Sequence, residues 1–222
     1  TMSGFTGNHP ALPNNNFHAG VYTFTGGPVT TATITSTLFN LNISGTGKPS
    51  QESAGIDNAD FSTGAGNRQN ITINECTIAN NANRGITIRG GNALVDINQS
   101  TLTNNGGDPY GLGGNDGFGI MVREGAVATV NNCFITNPAS VMGGYNVHAM
   151  ATDMGASPNA TLTANDNSLD PNGNLTSNLA FNAGGTLSAT CNWWGSGLGA
   201  NIMPYISGVV TYEPYLATGM DN

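Results

Sequence analysis

The chain has 222 residues and a formal net charge of −8 at neutral pH, with five Lys and Arg against 13 Asp and Glu. This balance argues against a nucleic-acid partner, because phosphate contacts depend on clustered basic side chains. No apolar run reaches the roughly 20 residues that span a bilayer, and no long amphipathic helix is visible, so we expect a β-fold without a transmembrane segment.

A short phrase recurs about six times at intervals of roughly 24 to 33 residues, a range typical of solenoid repeats. Each copy alternates small polar residues with Ile, Leu or Val and ends on Asn or Gly. The copies begin at Thr31, Asn70, Leu94, Ala128, Ala160 and Gly185. Second strand-like runs follow three of them, starting at Gly85, at Gly119 and, less regularly, at Asn178. The chain is therefore predicted to repeat strand, turn, strand, turn.

Stacking explains how strands this short can form a core. Successive residues of a strand point to opposite faces, so a single repeat has too little to bury. Repeats stacked at about 4.8 Å align their aliphatic residues into one interior column. The predicted column consists of Ile73, Ile97, Val130, Leu162 and Leu187. Asn and Gly at the corners tolerate left-handed backbone, and Asn side chains can form hydrogen-bonded ladders along the stack.

These features predict an all-β fold, a single parallel β-helix of about six to eight coils with capped ends. No linker rich in proline or charge divides the chain, so we expect one domain over residues 1–222. We assign residues 1–28 to an N-terminal cap, 29–190 to the repeated coils and 191–222 to a C-terminal cap. Aromatic and aliphatic residues supply the bulk of the first cap: Phe5, Phe17, Val21, Tyr22 and Phe24.

The three cysteines are predicted to stay reduced. Cys76 and Cys133 occupy the same slot of the repeated phrase, with Ser100 in that slot between them. Two coils place them about 9.6 Å apart, beyond the ceiling of about 7 Å between the Cα atoms of a disulfide. We interpret them as interior side chains, with a reactive or metal-binding thiol as the alternative. Cys191 is also interpreted as structural, and no pair has the Cys-x-x-Cys spacing of zinc sites.

The leading ligand-binding candidates are Arg89 and Arg123, which share a slot on consecutive coils. Two like charges about 5 Å apart repel, so they require nearby carboxylates or a bound anion. The candidate carboxylates are Glu124, Asp60 and Asp153. Two interpretations stay open: a solvent-exposed salt-bridge ladder, or a clamp for the uronate or sulfate of an acidic sugar, with His148 one coil further along as a base.

The sequence gives little support for a catalytic function. Lyases on β-helices need a Brønsted base with a charge neutraliser, and hydrolases need paired carboxylates. The chain has one lysine, Lys48, within a stretch rich in Gly, Pro and Ser, and no strand carries paired acids. We therefore favour a non-enzymatic role and assign no catalytic residue.

A glycine-rich insertion beginning at Asn104 lengthens one coil to about 33 residues, and solenoids often place binding functions on such loops. Its segment from Gly111 to Gly119 nearly matches the calcium-binding nonapeptide repeat, but it lacks the second glycine and occurs once. Asp108 and Asp116 are the candidate Ca²⁺ ligands, and a plain glycine-rich turn is the alternative. No other cofactor is predicted.

The C-terminal end contains the only two tryptophans, Trp193 and Trp194, within the phrase Cys-Asn-Trp-Trp-Gly. An open solenoid end exposes an apolar cross-section and unpaired strand edges, so we predict that this pair forms a plug. The alternative is an exposed aromatic platform that stacks on sugar rings.

This phrase, the later run Gly208–Leu216 and the rungs of the type Asn-Ile-Thr-Ile together resemble bacterial secreted right-handed parallel β-helix proteins of the pectate-lyase-like kind. The resemblance covers residues 29–217 and implies a right-handed coil closed by an Asn-Trp-Trp-Gly rung. The family includes lyases, hydrolases, adhesins and surface-layer proteins, so the resemblance selects a fold rather than a function. One departure is the stretch after Gly195, where many members have Gly-Pro.

Two functional classes stay open. The first is an extracellular, non-enzymatic surface solenoid that is structural, adhesive or filament-forming and self-associates end to end or side by side. The second is a β-helix that binds or degrades acidic polysaccharides in the manner of a lyase. The scarcity of Lys, Arg and paired acids favours the first. A third hypothesis, ice binding, needs an outward threonine slot on many coils. That slot is predicted to contain Thr72, Asp96, Thr129, Thr161 and Thr186, and Asp96 breaks it.

Overall fold

The computed structural model describes residues 19–27, 33–44, 54–62, 69–81, 84–106, 117–136, 147–152, 159–171 and 179–219. These residues form a β-solenoid in which all the paired strands run parallel to their neighbours, so the predicted fold class is confirmed. None of the helices in these ranges has the length and hydropathy that a membrane-spanning helix requires.

Each coil runs through three parallel sheets, which we call sheets A, B and C. In chain order the elements are β1 (Ala19–Gly27), β2 (Ile34–Phe39), β3 (Asn42–Ser44), β4 (Ala54–Ser62), β5 (Gln69–Asn74), β6 (Thr77–Ala79), β7 (Arg84–Arg89), β8 (Ala93–Asn98), β9 (Thr101–Thr103), β10 (Gly117–Arg123), β11 (Val127–Asn131), β12 (Phe134–Thr136), β13 (Val147–Thr152), β14 (Thr161–Asn165), β15 (Ser168–Asp170), β16 (Ala180–Asn182), β17 (Thr186–Ser188), helix α1 (Gly199–Ile202), a 3₁₀ turn (Met203–Tyr205), β18 (Ile206–Ser207) and β19 (Val210–Thr211). Sheet A contains β1, β4, β7, β10, β13, β16 and β18, and sheet B contains β2, β5, β8, β11, β14, β17 and β19. Sheet C contains β3, β6, β9, β12 and β15.

The core follows from alternation, because every second residue of β5, β8 and β14 is buried. Ile73 pairs with Ile97, and Ile97 pairs with Val130, as predicted. The next step of the predicted column is wrong, since Val130 pairs with Ala164 and Leu162 continues the neighbouring inward column. A slip of two residues keeps the same side chains inside, so the sequence pattern alone does not distinguish the two registers.

The corner between sheets B and C is built from left-handed backbone. One residue in each coil has a positive φ there: Asn40, Glu75, Gln99, Asn132, Asp166 and Cys191. The residue that follows points inward, and in later coils it forms an amide ladder. The backbone N–H and the side-chain amide of Asn167 both donate to Asn192 Oδ1 at 2.9 Å. A second ladder joins Asn81 to Asn105 at 2.8 Å. The predicted asparagine ladders are therefore confirmed.

The same inward slot contains Cys76, Ser100 and Cys133, as predicted. The Cys76 N–H donates to Ser100 Oγ at 3.1 Å, and the Cys133 N–H donates to Asn167 Oδ1 at 2.8 Å. All three cysteines are free, and Cys76 and Cys133 are buried. Cys191 differs from them, because it occupies the left-handed corner position and Asn192 takes the inward slot.

The two tryptophans point to opposite sides of the last coil. Trp194 is completely buried in the core and lies edge-on to Tyr212, with 6.4 Å between ring centroids. Trp193 continues the outer side of sheet C by bridging to Ser168 and remains partly exposed. Neighbouring residues of an extended segment face opposite ways, so Trp194 packs into the core and Trp193 does not. The complete burial of Trp194 also prevents it from stacking on a sugar. A capping role for the pair stays a prediction.

Candidate functional site

The central strands of sheet A are buried on both faces, unlike those of sheets B and C. All of β7 is buried, and β4 and β10 are buried except at Phe61 and Arg123. Their inward residues include Ile56, Ile86 and Ile120 of the core. Their outward residues form a second layer, which we call the outer layer. It contains Tyr22, Asp57, Thr87, Met121, Ala151 and Phe181 in one column, and Phe24, Ala59, Arg89 and Arg123 in the next.

Arg89 and Arg123 are register partners in this outer layer, so their predicted adjacency is confirmed. Each has a carboxylate partner. Arg89 Nη2 lies 2.9 Å from Asp57 Oδ2, with side-chain exposures of 9% and 3%. Arg123 Nη2 lies 2.8 Å from Glu124 Oε1, with side-chain exposures of 18% and 20%. The expectation of a solvent-exposed ladder is therefore wrong for the Arg89–Asp57 pair, which is buried.

The carboxylates differ from those expected. Glu124 pairs as predicted, whereas Asp60 accepts hydrogen bonds from the backbone N–H and the hydroxyl of Ser62 at 3.0 and 2.6 Å. Asp153 lies outside the described residues. Asp57 was not among the predicted partners, and it lies opposite Thr87 and hence diagonally across from Arg89. Diagonal neighbours on one face of a sheet are within reach of long side chains, but only a known strand pairing identifies them.

His148 lies far from the arginine pair along the strand direction. It is the register partner of Phe118, at the opposite end of β10 from Arg123. That separation is about 16 Å at 3.3 Å per residue. The His148 ring is 2% exposed and stacks between Phe118 and Phe181, at centroid distances of 5.4 and 4.8 Å. The structure therefore places His148 in an aromatic stack and does not bring it to the arginines.

Three exposed aromatic side chains gather at the first two coils of the outer layer. Tyr22, Phe24 and Phe61, which we call the aromatic cluster, are 51%, 55% and 42% exposed. The Tyr22 and Phe24 rings lie 6.0 Å apart with an interplanar angle of 21°, and the Phe61 ring lies 6.5 Å from Phe24 at 49°. Arg89 Cζ lies 5.8 Å from the centroid of the Phe61 ring. Of the residues predicted to form the N-terminal cap, Tyr22 and Phe24 therefore face outward from β1, whereas Val21 packs against the core.

The ionisation of Tyr22 is coupled to the ion pair behind it. Partial burial raises the pKa of Tyr22 above its ordinary value of 10.0, and the negative charge of Asp57 raises it further. Arg89 acts in the opposite direction through its charge and a hydrogen bond. At neutral pH the phenol is therefore protonated and can act as a hydrogen-bond donor.

The outer face of sheet B has a central line of short polar side chains, flanked in places by apolar ones such as Phe39, Leu94 and Val127. We call its central line the hydroxyl column, and its register partners are Thr37, Thr72, Asp96, Thr129, Thr163, Ser188 and Thr211. The slot predicted for ice binding is thus correct as far as Thr129 and wrong at Thr161 and Thr186, because of the same two-residue slip. Asp96 interrupts the column as predicted, and it accepts a hydrogen bond from the Thr129 hydroxyl.

A buried polar network inside the first coils was not predicted. Asn58 occupies an inward position of β4, where alternation indicates an apolar residue. Its amide donates to Thr23 Oγ1 at 2.8 Å and to Gln69 Oε1, and Gln69 donates to Thr25 Oγ1 at 3.0 Å. These bonds use the amide N–H groups of Asn58 and Gln69 in the first two coils, and no periodic signal in the sequence marks them.

The calcium candidates Asp108 and Asp116, like Lys48, Phe5 and Phe17, lie outside the described residues, so the calcium site stays a prediction. Within the part of the chain that the structure describes, no three His, Cys, Asp or Glu side chains converge to hold a metal ion.

Comparison with known proteins found no matching family model, no similar curated protein and no similar solved structure. The parallel β-solenoid is thus the level at which the chain is classified. The resemblance to bacterial secreted β-helix proteins, including the closing rung, stays a prediction.

Proposed function

We propose that the chain is an extracellular, non-enzymatic surface solenoid with a structural and adhesive role, which presents the outer face of sheet B as its contact surface. The observation that carries this proposal is the hydroxyl column. Six of its seven register partners are Thr or Ser, and the column runs from β2 to β19.

The physical argument is preorganisation. Parallel pairing fixes neighbouring rungs at about 4.8 Å, so the hydroxyl groups form a line with a constant repeat. Threonine has few χ1 rotamers, and its methyl group packs against the rungs above and below. A surface that is already ordered loses little conformational entropy when it binds an extended partner. This face therefore suits adhesion to a repetitive, uncharged surface.

The charged residues support a non-enzymatic role. Arg89 and Arg123, the candidates for an acidic-sugar clamp, already hold Asp57 and Glu124 at 2.9 and 2.8 Å. His148, the candidate base, is enclosed between two phenylalanine rings. The extracellular, bacterial placement is supported by the low charge of 8% Asp, Glu, Lys and Arg and by the resemblance of the last rung to secreted β-helix proteins.

The proposal is tested by adhesion of protein-coated beads to cellulose, chitin and silica under flow. We expect wild-type beads to hold to at least one surface and Thr72→Lys with Thr163→Lys to release them, because two charged side chains then project from the hydroxyl column. Thr77→Lys with Thr136→Lys is the matched control, since these threonines face outward on sheet C with comparable burial.

Two outcomes would contradict the proposal. One is that wild-type beads detach as fast as uncoated beads, or that the lysine variants of sheet B and sheet C adhere equally well. The other is release of unsaturated sugars from polygalacturonate or alginate that disappears in Arg89→Ala with Arg123→Ala, which would establish the lyase alternative instead.

A further inference from the structure

We propose that the aromatic cluster, backed by the Arg89–Asp57 pair, is a binding site for a neutral polysaccharide and stacks on the apolar face of a hexopyranose ring. This site lies on the outer layer of sheet A. The adhesive face described above belongs to sheet B, so either proposal can fail without the other.

Exposure is the first step of the argument. Tyr22, Phe24 and Phe61 are neighbours, and each leaves more than two-fifths of its surface in solvent. Aromatic side chains bury about 150–250 Å² each when they pack inside, so three adjacent exposed rings leave a large apolar area in water. Exposed apolar patches of this kind mark ligand or interaction sites.

The Tyr22 and Phe24 rings form the platform of the proposed site. The Cζ atom of Phe24 lies only 2.7 Å from where a Cβ atom on Gly26 would be, so this ring leans along the strand over that glycine. The plane of the Tyr22 ring is within 21° of the Phe24 plane, while the Phe61 ring is tilted by 49° relative to Phe24 and lies next to it. Two nearly parallel rings with a tilted neighbour offer exposed aromatic faces to a pyranose, whose axial C–H groups make one face apolar and whose hydroxyls point outward around the rim.

The polar groups around the platform favour an uncharged sugar. The protonated Tyr22 hydroxyl can serve as a donor at the rim. Arg89 lies behind Phe61, and its charge is balanced by Asp57 at 2.9 Å. The chain as a whole has a net charge of −8, which repels anionic polysaccharides at long range. A uronate would meet that repulsion and would have to compete with Asp57 for Arg89, whereas a neutral ring needs only the stacking surface and the rim.

Binding is measured by isothermal titration calorimetry with cellohexaose as the neutral probe and hexagalacturonate as its charged counterpart. We expect cellohexaose to bind and Phe24→Ala to weaken its binding about fivefold, since one aromatic contact contributes on the order of 1 kcal/mol. Tyr22→Phe keeps the ring and removes the hydroxyl, so a loss of about threefold is expected. Met203→Ala is the control, because Met203 is also a large exposed apolar side chain, at 64%, but lies in the 3₁₀ turn outside sheets A and B.

Several results would overturn the proposal. They are tighter binding of hexagalacturonate than of cellohexaose, no heat with cellohexaose, or equal losses in Phe24→Ala and Met203→Ala. Sedimentation velocity adds a fourth: a wild-type dimer that Phe24→Ala dissociates would assign the cluster to self-association. Far-ultraviolet circular dichroism of each variant confirms the fold, and Tyr22→Phe, which removes one atom, provides the test if Phe24→Ala does not fold.

Discussion

Sheets A and B belong to the same coils and have the same number of described strands, yet their outer faces differ. In β8 of sheet B, burial alternates strictly, and its outward residues are half-buried. In β7 of sheet A, all residues are buried, although alternate side chains still point away from the core. The inward face of a solenoid is constrained by the core in every coil, whereas an outward face can acquire a second layer. That layer contains the buried ion pair, the aromatic stack and the aromatic cluster.

A column of small residues accompanies this difference. Gly55, Gly85 and Gly119 occupy equivalent positions in successive coils of sheet A, followed by Ala149. A Cβ atom at each glycine would lie 2.9, 2.6 and 2.5 Å from the carbonyl oxygen of the equivalent residue in the next coil. Close backbone approach therefore excludes side chains at the three glycine positions. Substitutions in both sheets test whether the packing of sheet A tolerates less change than the packing of sheet B.

The largest effect is expected from Arg89→Ala. The substitution leaves the Asp57 carboxylate buried without its guanidinium partner, a change that costs about 3–5 kcal/mol of unfolding free energy. Thr72→Ala, in the outward column of sheet B, should cost less than about 0.5 kcal/mol. Guanidinium chloride unfolding measures both values. Adding Asp57→Asn to the Arg89→Ala variant should restore part of the loss, and equal effects of Arg89→Ala and Thr72→Ala would show that the outer layer is not a buried layer.

Asn167→Ala should come next, with a loss of about 2–3 kcal/mol. The Asn167 side chain donates to Val130 O and Asn192 Oδ1, each at 2.9 Å, and accepts from the Cys133 N–H. Alanine removes all three side-chain bonds and leaves the buried Cys133 N–H without this acceptor, while the residue 167 backbone N–H still donates to Asn192 Oδ1. The comparison is Asn131→Ala, whose outward amide makes a single long contact of 3.5 Å to Asn98 and should cost about 0.5 kcal/mol or less. A similar loss in both variants would mean that the corner ladders are no more important than the surface ladder.

Gly85→Ala tests the close approach of the coils in sheet A. Its Cβ atom would lie 2.6 Å from the Gly119 carbonyl oxygen, so the two coils must separate, at a cost of about 1–3 kcal/mol. Gly91→Ala is the control in the adjoining turn, because nothing lies within 4 Å of its Cβ position. Thermal denaturation should show a lowered midpoint for the first variant and an unchanged one for the second. A stable Gly85→Ala protein would contradict the assigned register of β7 and β10.

The sequence predicted the features that depend on alternation and on equivalent slots. The parallel solenoid, the asparagine ladders, the shared slot of Cys76 and Cys133 and the adjacency of Arg89 and Arg123 all follow from those two rules. The same rules explain the errors. Moving a strand by two residues preserves its inward set, so Val130 was matched with Leu162 instead of Ala164, and Thr129 with Thr161 instead of Thr163.

The candidate site was less predictable, because it depends on contacts between coils in the outer layer. A periodic pattern shows that Asp57 points outward, but it does not show that the side chain meets Arg89 diagonally. In the same way, aromatic residues near a chain end indicate a cap, and only the strand pairing shows that Tyr22 and Phe24 face solvent beside Phe61. Outward side chains are not fixed by the core, so their partners cannot be inferred from burial alone.

Alkylation of the cysteines leaves the fold intact and is the smallest of these perturbations. It measures how well the inward side chains beside sheet B are shielded from solvent. Burial raises the pKa of the Cys133 thiol to about 11, so very little thiolate exists at neutral pH. Cys191 is partly exposed at the corner of its coil. Iodoacetamide should therefore modify Cys191 in the folded protein and spare Cys133, as read by peptide mass spectrometry.

In a Cys191→Ser variant, the slow modification of Cys133 should accelerate about tenfold per pH unit until the pH approaches that pKa. In guanidinium chloride Cys133 should react at the rate of an ordinary thiol. Equal modification of Cys133 and Cys191 in the folded protein would show that solvent reaches the inward column. That result would contradict the burial of the inward face of sheet B.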